Sequence, residues 1–319
     1  MNTQPSERPL AFVEALPFGV HVIDTGFQRP HFDASFLIVE NGHAAFVDTG
    51  TNHAVPRLLA AVDDAGVARD DVDYVIATHV HLDHAGGVGA LLRHLPRAQL
   101  VVHPLGARHL IDPSRLMASA RAVYGETEMA RSYGELVGVP VQRVIKSHDG
   151  MTIALAGRLL QLFDTPGHAR HHHCLWDERS QGFFTGDTFG VAYPEFASDR
   201  GAFLIPTTPP TQFDPEALRT SVQRLLAFAP ERMYLTHYGA VTRVQQLGAC
   251  YLERIQAIVR LGESVRGHPR RFEELKQGLA VLYRSWLRQQ GCPLDEALAM
   301  DLLSIDVELN AQGMDHWLD

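Results

Sequence analysis

The stretch THVHLDH, residues 78–84, places four potential metal ligands in one short segment of the chain. It follows directly on an apolar, β-branched run whose pattern predicts a buried strand. In an extended segment successive side chains alternate between two faces, so His79 and His81 point the same way and can bind one ion together. Asp83 and His84 follow after the chain turns, and they offer a carboxylate oxygen and an imidazole to a second ion. The segment therefore predicts a metal site where a strand ends.

The spacing of these ligands is typical of a strand that runs into a loop. The helix-borne zinc motif H-E-x-x-H separates its histidines by four positions, whereas His79 and His81 are two positions apart. Glycines follow at Gly87 and Gly89, but Leu92 stands where a dinucleotide-binding loop needs its third glycine, so no nucleotide site is predicted. A polar turn with solvated histidines is the alternative, and it is common for a single histidine rather than for this spacing.

The motif resembles that of a known family, the metallo-β-lactamase-fold hydrolases, whose T-H-x-H-x-D-H signature is matched at every position by residues 78–84. The resemblance extends over about residues 15–240. In that family three further ligands follow later strands, within T-P-G-H, within G-D and after the last strand. This chain has all three in that order, as His168, Asp187 and His237. The resemblance implies an α/β fold, a four-layer αββα sandwich with the metals at one edge of the two sheets.

The resemblance also implies two metal sites that share one ligand. Site one would be formed by His79, His81 and His168. Site two would be formed by Asp83, His84 and His237, and Asp187 would bridge both. Two divalent ions per chain are expected, and zinc is favoured because it suits imidazole and carboxylate ligands. Iron and manganese accept the same ligands, so the identity of the metal stays open.

The chemistry follows from the types of ligand. Two divalent ions about 3.5–4 Å apart share a water, lower its pKa toward neutrality and present hydroxide to a carbonyl or phosphoryl centre. Asp83 and Asp187 are the predicted catalytic residues, because they would position that nucleophile. No separate serine nucleophile is indicated, since G-x-S-x-G does not occur in the chain.

Three further side chains are candidates for supporting roles. Asp48 stands at the end of an early strand, where a carboxylate would orient a ligand histidine through its second nitrogen, or would cap a turn. His172 lies four residues after His168, where relatives of the glyoxalase II type have a second histidine, and we interpret it as a supporting group rather than a ligand. Tyr193 could donate to a developing oxyanion, as a nearby tyrosine does in lactonases of this fold. Its spacing from Asp187 differs, and packing in the core or in a lid is the alternative.

The chain is expected to divide into a catalytic domain, residues 1–240, and a helical extension, residues 241–319. Beyond residue 240 apolar positions recur at spacings of three and four, which is typical of amphipathic helices. Residues 113–137 carry mixed charges and two interrupting glycines, and we interpret them as an insertion or lid. Thioesterases related to glyoxalase II similarly follow the catalytic domain with helices that cover the metal site. That likeness favours an acyl thioester as substrate.

The predicted function is a dinuclear-metal-dependent hydrolase that cleaves an ester-type bond, with a thioester favoured. A lactonase or a phosphodiesterase on the same centre stays open, because fold and metals do not fix the substrate. A persulfide dioxygenase-like oxidoreductase is a further alternative, since such relatives bind one iron through the equivalents of His79, His168 and Asp187. The segment after Asp187 does not copy glyoxalase II, and no basic cluster for glutathione or coenzyme A is evident.

Composition excludes several kinds of partner. The net charge is −9, with 28 basic and 37 acidic residues and no basic stripe, so nucleic acid is not expected. No segment approaches the roughly 18 consecutive apolar residues of a membrane span. The first 19 residues lack the pattern of a secretory signal, which predicts a soluble, cytoplasmic protein. The three cysteines show no C-x-x-C pair and are expected to be buried apolar residues. A small-molecule substrate is expected, and a homodimer stays open.

Overall fold

A computed structural model describes residues 10–319, without the side chains of Val123 and Tyr124. The chain forms two compact units. Among the described residues, the first comprises residues 10–164 together with 173–186, and the second comprises residues 165–172 together with 187–319. Residues 1–9, on which the expectation about secretion partly depends, lie outside the described residues.

The first unit contains a seven-stranded sheet whose strands are adjacent in chain order. The strands are β1 Val13–Leu16, β2 Val20–Asp24, β3 Ala34–Glu40, β4 His43–Val47, β5 Val72–Ala77, β6 Gln99–Val102 and β7 Val144–Lys146. The first four pair antiparallel, and β4 to β7 pair parallel. Asn41 and Gly42, a pair typical of tight hairpin turns, connect β3 to β4, and both residues have positive φ, as the turn requires.

Helices alternate with the parallel strands, because a parallel connection must cross from one end of the sheet to the other. They are α1 Val55–Asp64, α2 Leu82–Ala85, α3 Val88–Leu92 and α4 Pro104–Ile111. Leu58, Ala61 and Val62 form the buried face of α1 and pack into the same apolar core as the inward side chains of the sheet. This packing holds the carboxyl end of β5, from which the metal-binding motif continues.

The predicted insertion begins with α5, Ser114–Glu128, which is followed by a π-helical segment, Met129–Tyr133. Both glycines interrupt it as expected. Gly125 breaks the helical geometry with φ 79° and ψ 160°, and Gly134 ends the π-helical segment with φ 70°. Met117, Ala120 and Met129 pack together with Leu82 of the motif, so the insertion contacts the ligand-bearing loop of its own unit.

Four antiparallel strands complete the first unit. They are β8 Thr152–Leu155, β9 Arg158–Asp164, β10 His173–Asp177 and β11 Gly182–Gly186. They pack on the seven-stranded sheet through contacts such as that of Phe36 with Phe184, whose ring centroids are 5.2 Å apart. The buried guanidinium of Arg158 binds the carboxylate of Asp177 and also donates to the carbonyl of Phe18 at 2.7 Å. The side chain of Arg158 thereby links both layers of strands.

The second unit is mainly helical. Its elements are α6 Pro215–Leu226, the hairpin strands β12 Arg232–Leu235 and β13 Gly239–Val241, and then α7 Val244–Val265, α8 Arg271–Gln290, α9 Glu296–Leu302 and α10 Ser304–Trp317. The predicted helical character of the C-terminal quarter is confirmed. Within the described part of the chain, none of the helices combines the length and apolar character that crossing a membrane would need.

One expectation is corrected in detail. The cysteines were expected to be buried, and Cys174 is, but Cys250 and Cys292 are half-buried on the helical part of the chain.

Candidate metal centre

The ligands predicted in the first unit converge where β5 ends. Nε2 of His79 lies 2.8 Å from Nδ1 of His81. The imidazole of His79 also contacts that of His84, with ring centroids 4.0 Å apart and the ring planes tilted by 49°. His79 and His84 are buried, whereas His81 and Asp83 are half-buried. The loop that follows the strand thus gathers three imidazoles, with the carboxylate of Asp83 on the first turn of α2.

Asp48 supports this loop from the end of β4. Its Oδ2 lies 2.7 Å from Nδ1 of His84, and its Oδ1 accepts from the backbone N–H of Thr78 at 2.8 Å. The hydroxyl of Thr78 also donates to the Asp48 carboxylate. These partners are 36 and 30 residues away along the chain, so the carboxylate bonds to the motif rather than to its own turn. With Nδ1 engaged, His84 keeps Nε2 for a metal.

The ligands predicted in the second unit also lie together. Nε2 of His168 is 3.3 Å from Oδ2 of Asp187, and Nε2 of His237 is 3.8 Å from Oδ1 of the same carboxylate. All three side chains are buried. Asp187 therefore presents one carboxylate oxygen to each histidine, and an arrangement of this kind suits a ligand shared by two ions.

The T-P-G-H turn brings His168 to this position because its glycine allows a close approach. Gly167 has φ 133°, and a Cβ there would lie 2.2 Å from the backbone nitrogen of Leu218 in α6. Nδ1 of His168 lies 2.8 Å from the hydroxyl of Thr207, which in turn donates to the carbonyl of Asp187 at 3.3 Å. Thr207 thus orients the imidazole with Nε2 toward Asp187. Sequence reasoning missed Thr207, which lies in a Pro-rich loop without a recognisable motif.

His172 contacts the backbone of Asp187 rather than its carboxylate. Nε2 of His172 accepts from the N–H of Asp187 at 3.2 Å. Nδ1 lies within 2.9 Å of the Thr165 hydroxyl and 3.2 Å of the Thr188 hydroxyl. Both ring nitrogens are engaged by the second unit, so His172 fixes the start of the turn that carries Asp187.

The neighbouring His173 belongs to β10 in the first unit and faces the core. Its Nδ1 lies 2.8 Å from the Ser147 hydroxyl, and its ring lies 6.4 Å from that of His103. Burial, and secondarily the charge of His103, lowers the pKa of His173 to about 4. His173 is therefore a neutral core residue at physiological pH.

Two tyrosines of the second unit lie in its helical packing. Tyr193 is buried, and its hydroxyl donates to Oδ1 of Asp306 in α10 at 3.2 Å. Tyr251 of α7 lies against the turn after Asp187, since a Cβ at Gly190 would come within 2.6 Å of its Cε2. Burial and the charge of Asp187 raise the pKa of the Tyr251 hydroxyl, which therefore keeps its proton. No motif in the sequence indicates that Tyr251 lies near Asp187, because Tyr251 is one of several regularly spaced buried residues of α7.

The donor types fit a divalent metal. Histidine and aspartate ligand atoms form clusters that could hold an ion. Imidazole and carboxylate donors of this kind suit zinc, iron and manganese. Hydrogen bonds to the second nitrogen of His84 and of His168 fix the rings with Nε2 available, as is usual for metal-binding histidines.

Comparison with known proteins identifies the family. Residues 29–237 match the model of the Metallo-beta-lactamase superfamily. The Metallo-beta-lactamase fold-containing protein ST1585 of Sulfurisphaera tokodaii is 30% identical over 229 residues, which cover 70% of this chain and 80% of that protein. The solved structure of ST1585 has a TM-score of 0.65 at 22% identity and covers 93% of this chain and 98% of that one. This likeness confirms the predicted α/β fold of two sheets with flanking helices and a helical C-terminal segment.

Two further relatives carry the names of enzymes. The Hydroxyacylglutathione hydrolase of Aeromonas salmonicida is 29% identical over 203 residues, which cover 63% of this chain and 59% of that protein. Thioesterase pkgB of Emericella nidulans is 27% identical over 154 residues, which cover 48% of this chain and 34% of that protein. The chain spans less than two thirds of the length of either enzyme.

Proposed function

The chain belongs to the metallo-beta-lactamase superfamily and is a metal-dependent hydrolase of that superfamily, and from this premise we propose that the bond it cleaves is a thioester. The observation that carries the proposal is the similarity to a hydroxyacylglutathione hydrolase and to a thioesterase. A hydroxyacylglutathione is itself a thioester, so both names point to the same bond. The family match, residues 29–237, includes the motif from Thr78 to His84.

We propose that the two donor sets serve one dinuclear centre. Its seven ligands would be His79, His81, Asp83, His84, His168, Asp187 and His237. The assignment rests on the family motifs, and it is supported by the convergence of ligands inside each unit. When bound, divalent ions of this kind lower the pKa of a water and polarise a carbonyl oxygen. Zinc is the metal we favour, and iron and manganese are the alternatives.

The chain's own residues would divide the remaining work. Asp83, half-buried on the first turn of α2, would position an attacking water and accept its proton. Asp187 directs one oxygen to His168 and the other to His237, and this keeps both imidazoles in register. Asp48 holds His84, and Thr207 holds His168, each through Nδ1 of the imidazole. His172 holds Asp187 through its backbone N–H.

Leaving-group chemistry favours a thioester on this scaffold. A thiol has a pKa of about 8.5, so the thiolate leaves without prior protonation. Tyr193 donates to Asp306 and is thereby engaged in the helical packing. A reaction that expels a thiolate needs neither Tyr193 nor any other strong proton donor. A reaction that expels an alkoxide would need such a proton donor.

The test is a substrate panel on purified, metal-analysed protein. Glutathione thioesters, acyl-coenzyme A thioesters, a lactone, a phosphodiester and a cephalosporin should be compared by kcat/KM. We expect thioesters to be the best substrates, with activity lost in Asp187→Asn and retained in Asp63→Asn, an exposed control carboxylate. Turnover of the phosphodiester alone would refute the thioester proposal. Oxygen consumption with a persulfide would favour the oxidoreductase instead.

A further inference from the structure

A small cavity in the second unit is lined by positive and polar side chains. Its volume is about 110 Å³. Apolar residues form part of the lining. The rest consists of two arginines, two glutamines and one cysteine, which are Arg200, Arg254, Gln246, Gln290 and Cys250. Among the described residues that line the cavity there is no aspartate or glutamate. The cavity is therefore electropositive.

Arg254 of α7 contributes a buried charge to this cavity. Its side chain is only 5% exposed, and its guanidinium packs over the rings of Phe203 and Trp286, at 4.6 and 5.1 Å from their centroids. One N–H donates to the carbonyl of Leu204. Nε is buried and has no hydrogen-bond partner among the described residues. A guanidinium in this state retains unused donor capacity in a place that water reaches poorly.

The protein compensates this charge incompletely. Burial lowers the pKa of Arg254, and this effect outweighs the opposing influence of the nearby Glu253 carboxylate. Glu253 is exposed, and solvent screens its charge. A buried cation is stable only when it is paired and hydrogen-bonded, so an anion in the cavity would relieve a cost that the free protein bears.

We propose that this cavity binds a small oxyanion, either inorganic phosphate or the carboxylate group of a small metabolite. The guanidinium fork matches the paired oxygens of such groups better than any other side chain does. The volume suits the ligand as well, because a water occupies about 30 Å³ of liquid and the cavity corresponds to a few waters, the size of one oxyanion. The amide of Gln290 already donates to the carbonyls of Gly201 and Ala202, so Arg200 and Arg254 are the charged donors that such an oxyanion would meet.

Cys250 allows binding to be read at the cavity itself. The thiol is half-buried and lines the pocket, whereas Cys292 is also half-buried and does not line it. The experiment measures the rate of alkylation of each cysteine by iodoacetamide, peptide by peptide, in rising phosphate, acetate or chloride at constant ionic strength. We expect phosphate or acetate to slow alkylation of Cys250 saturably, with half-saturation at about 1 mM or below, and to leave Cys292 unchanged.

Variants test whether the two arginines are responsible for the protection of Cys250 by anions. Arg200→Gln, which removes the more exposed cation, should weaken protection severalfold, and Arg254→Gln should abolish it. Arg260→Gln, an exposed position on the same helix, should change nothing. Protection by phosphate alone identifies a phosphate site, and protection by acetate alone identifies a carboxylate site. The proposal is overturned if neither anion protects Cys250, if chloride protects equally, or if Arg200→Gln and Arg260→Gln behave alike.

Discussion

Oδ2 of Asp48 lies 2.7 Å from Nδ1 of His84, and both side chains are completely buried. The two residues come from neighbouring parallel strands of one sheet, Asp48 after β4 and His84 beyond β5. A carboxylate in this position holds the imidazole in one orientation and raises its basicity as a ligand. The same carboxylate anchors the start of the motif through Thr78, so a single side chain positions the whole loop.

Asp48→Asn should weaken metal binding without removing a ligand. The amide keeps the shape of the carboxylate but carries no charge, and it offers one acceptor oxygen instead of two. We expect metal affinity to fall by about 10- to 100-fold, measured by competition with a chromophoric chelator. Asp63→Asn, which alters an exposed carboxylate, is the control and should leave affinity unchanged. Equal affinities for Asp48→Asn and the unaltered chain would show that Asp48 does not support the centre.

The histidine-rich segment from His168 to His173 should divide by function. His168→Ala removes a predicted ligand and should lower the bound metal, as measured by elemental analysis after dialysis. His171→Ala should leave the metal content unchanged, because no role as a ligand is assigned to His171. Equal losses in the two variants would mean that the ligand had been assigned wrongly within this segment.

Much of this architecture was predictable because it is encoded locally. The period-two ligand pattern after a buried strand predicted the site at the end of β5, and the pair Asn41 and Gly42 is typical of the hairpin turn that it forms. Gly125 and Gly134 marked the breaks in the insertion. Each of these signals depends on neighbours within a few residues, where backbone sterics alone decide the conformation.

Other features depend on contacts between distant parts of the chain. Thr207 orients His168 from 39 residues away, and Tyr251 of helix α7 packs against the turn that follows Asp187. The strands β1 and β2 also escaped prediction, because they are four and five residues long and a turn at Phe18 with φ 67° separates them.

The buried His173 should make stability depend on pH in a defined window. Its pKa is about 4 in the folded chain and 6.5 in the unfolded chain, so the unfolded chain binds more protons between these values. The contribution of His173 to the free energy of unfolding is therefore fully present above about pH 6.5. It is lost as the pH drops toward 4, by roughly 3 kcal/mol in all. Urea unfolding of metal-free protein at several pH values measures this pH dependence of the free energy of unfolding. His173→Gln should lose less stability over this window than the unaltered chain, and identical losses would contradict the assignment.

Asp177→Ala should destabilise the first unit strongly. It would leave the buried guanidinium of Arg158 with only the more distant carboxylate of Glu40, at 3.7 Å, and the side chains of Arg158 and Asp177 are almost fully enclosed. Removing one partner of such a pair costs about 3–5 kcal/mol. Urea denaturation gives the free energy of unfolding, and Asp63→Ala, which breaks an exposed pair with Arg69, should cost less than about 1 kcal/mol. A cost below that of the exposed control would show that the pair does not hold the strands together.

The central claim, that seven histidines and aspartates hold two ions, is tested most directly by counting metal per chain. Protein saturated with zinc, dialysed and analysed for metal and protein should contain two ions per chain. His237→Ala, which removes a ligand of the second site alone, should retain about one ion per chain because His79, His81 and His168 remain. A single redox-active iron in the unaltered protein, unchanged by His237→Ala, would contradict the account.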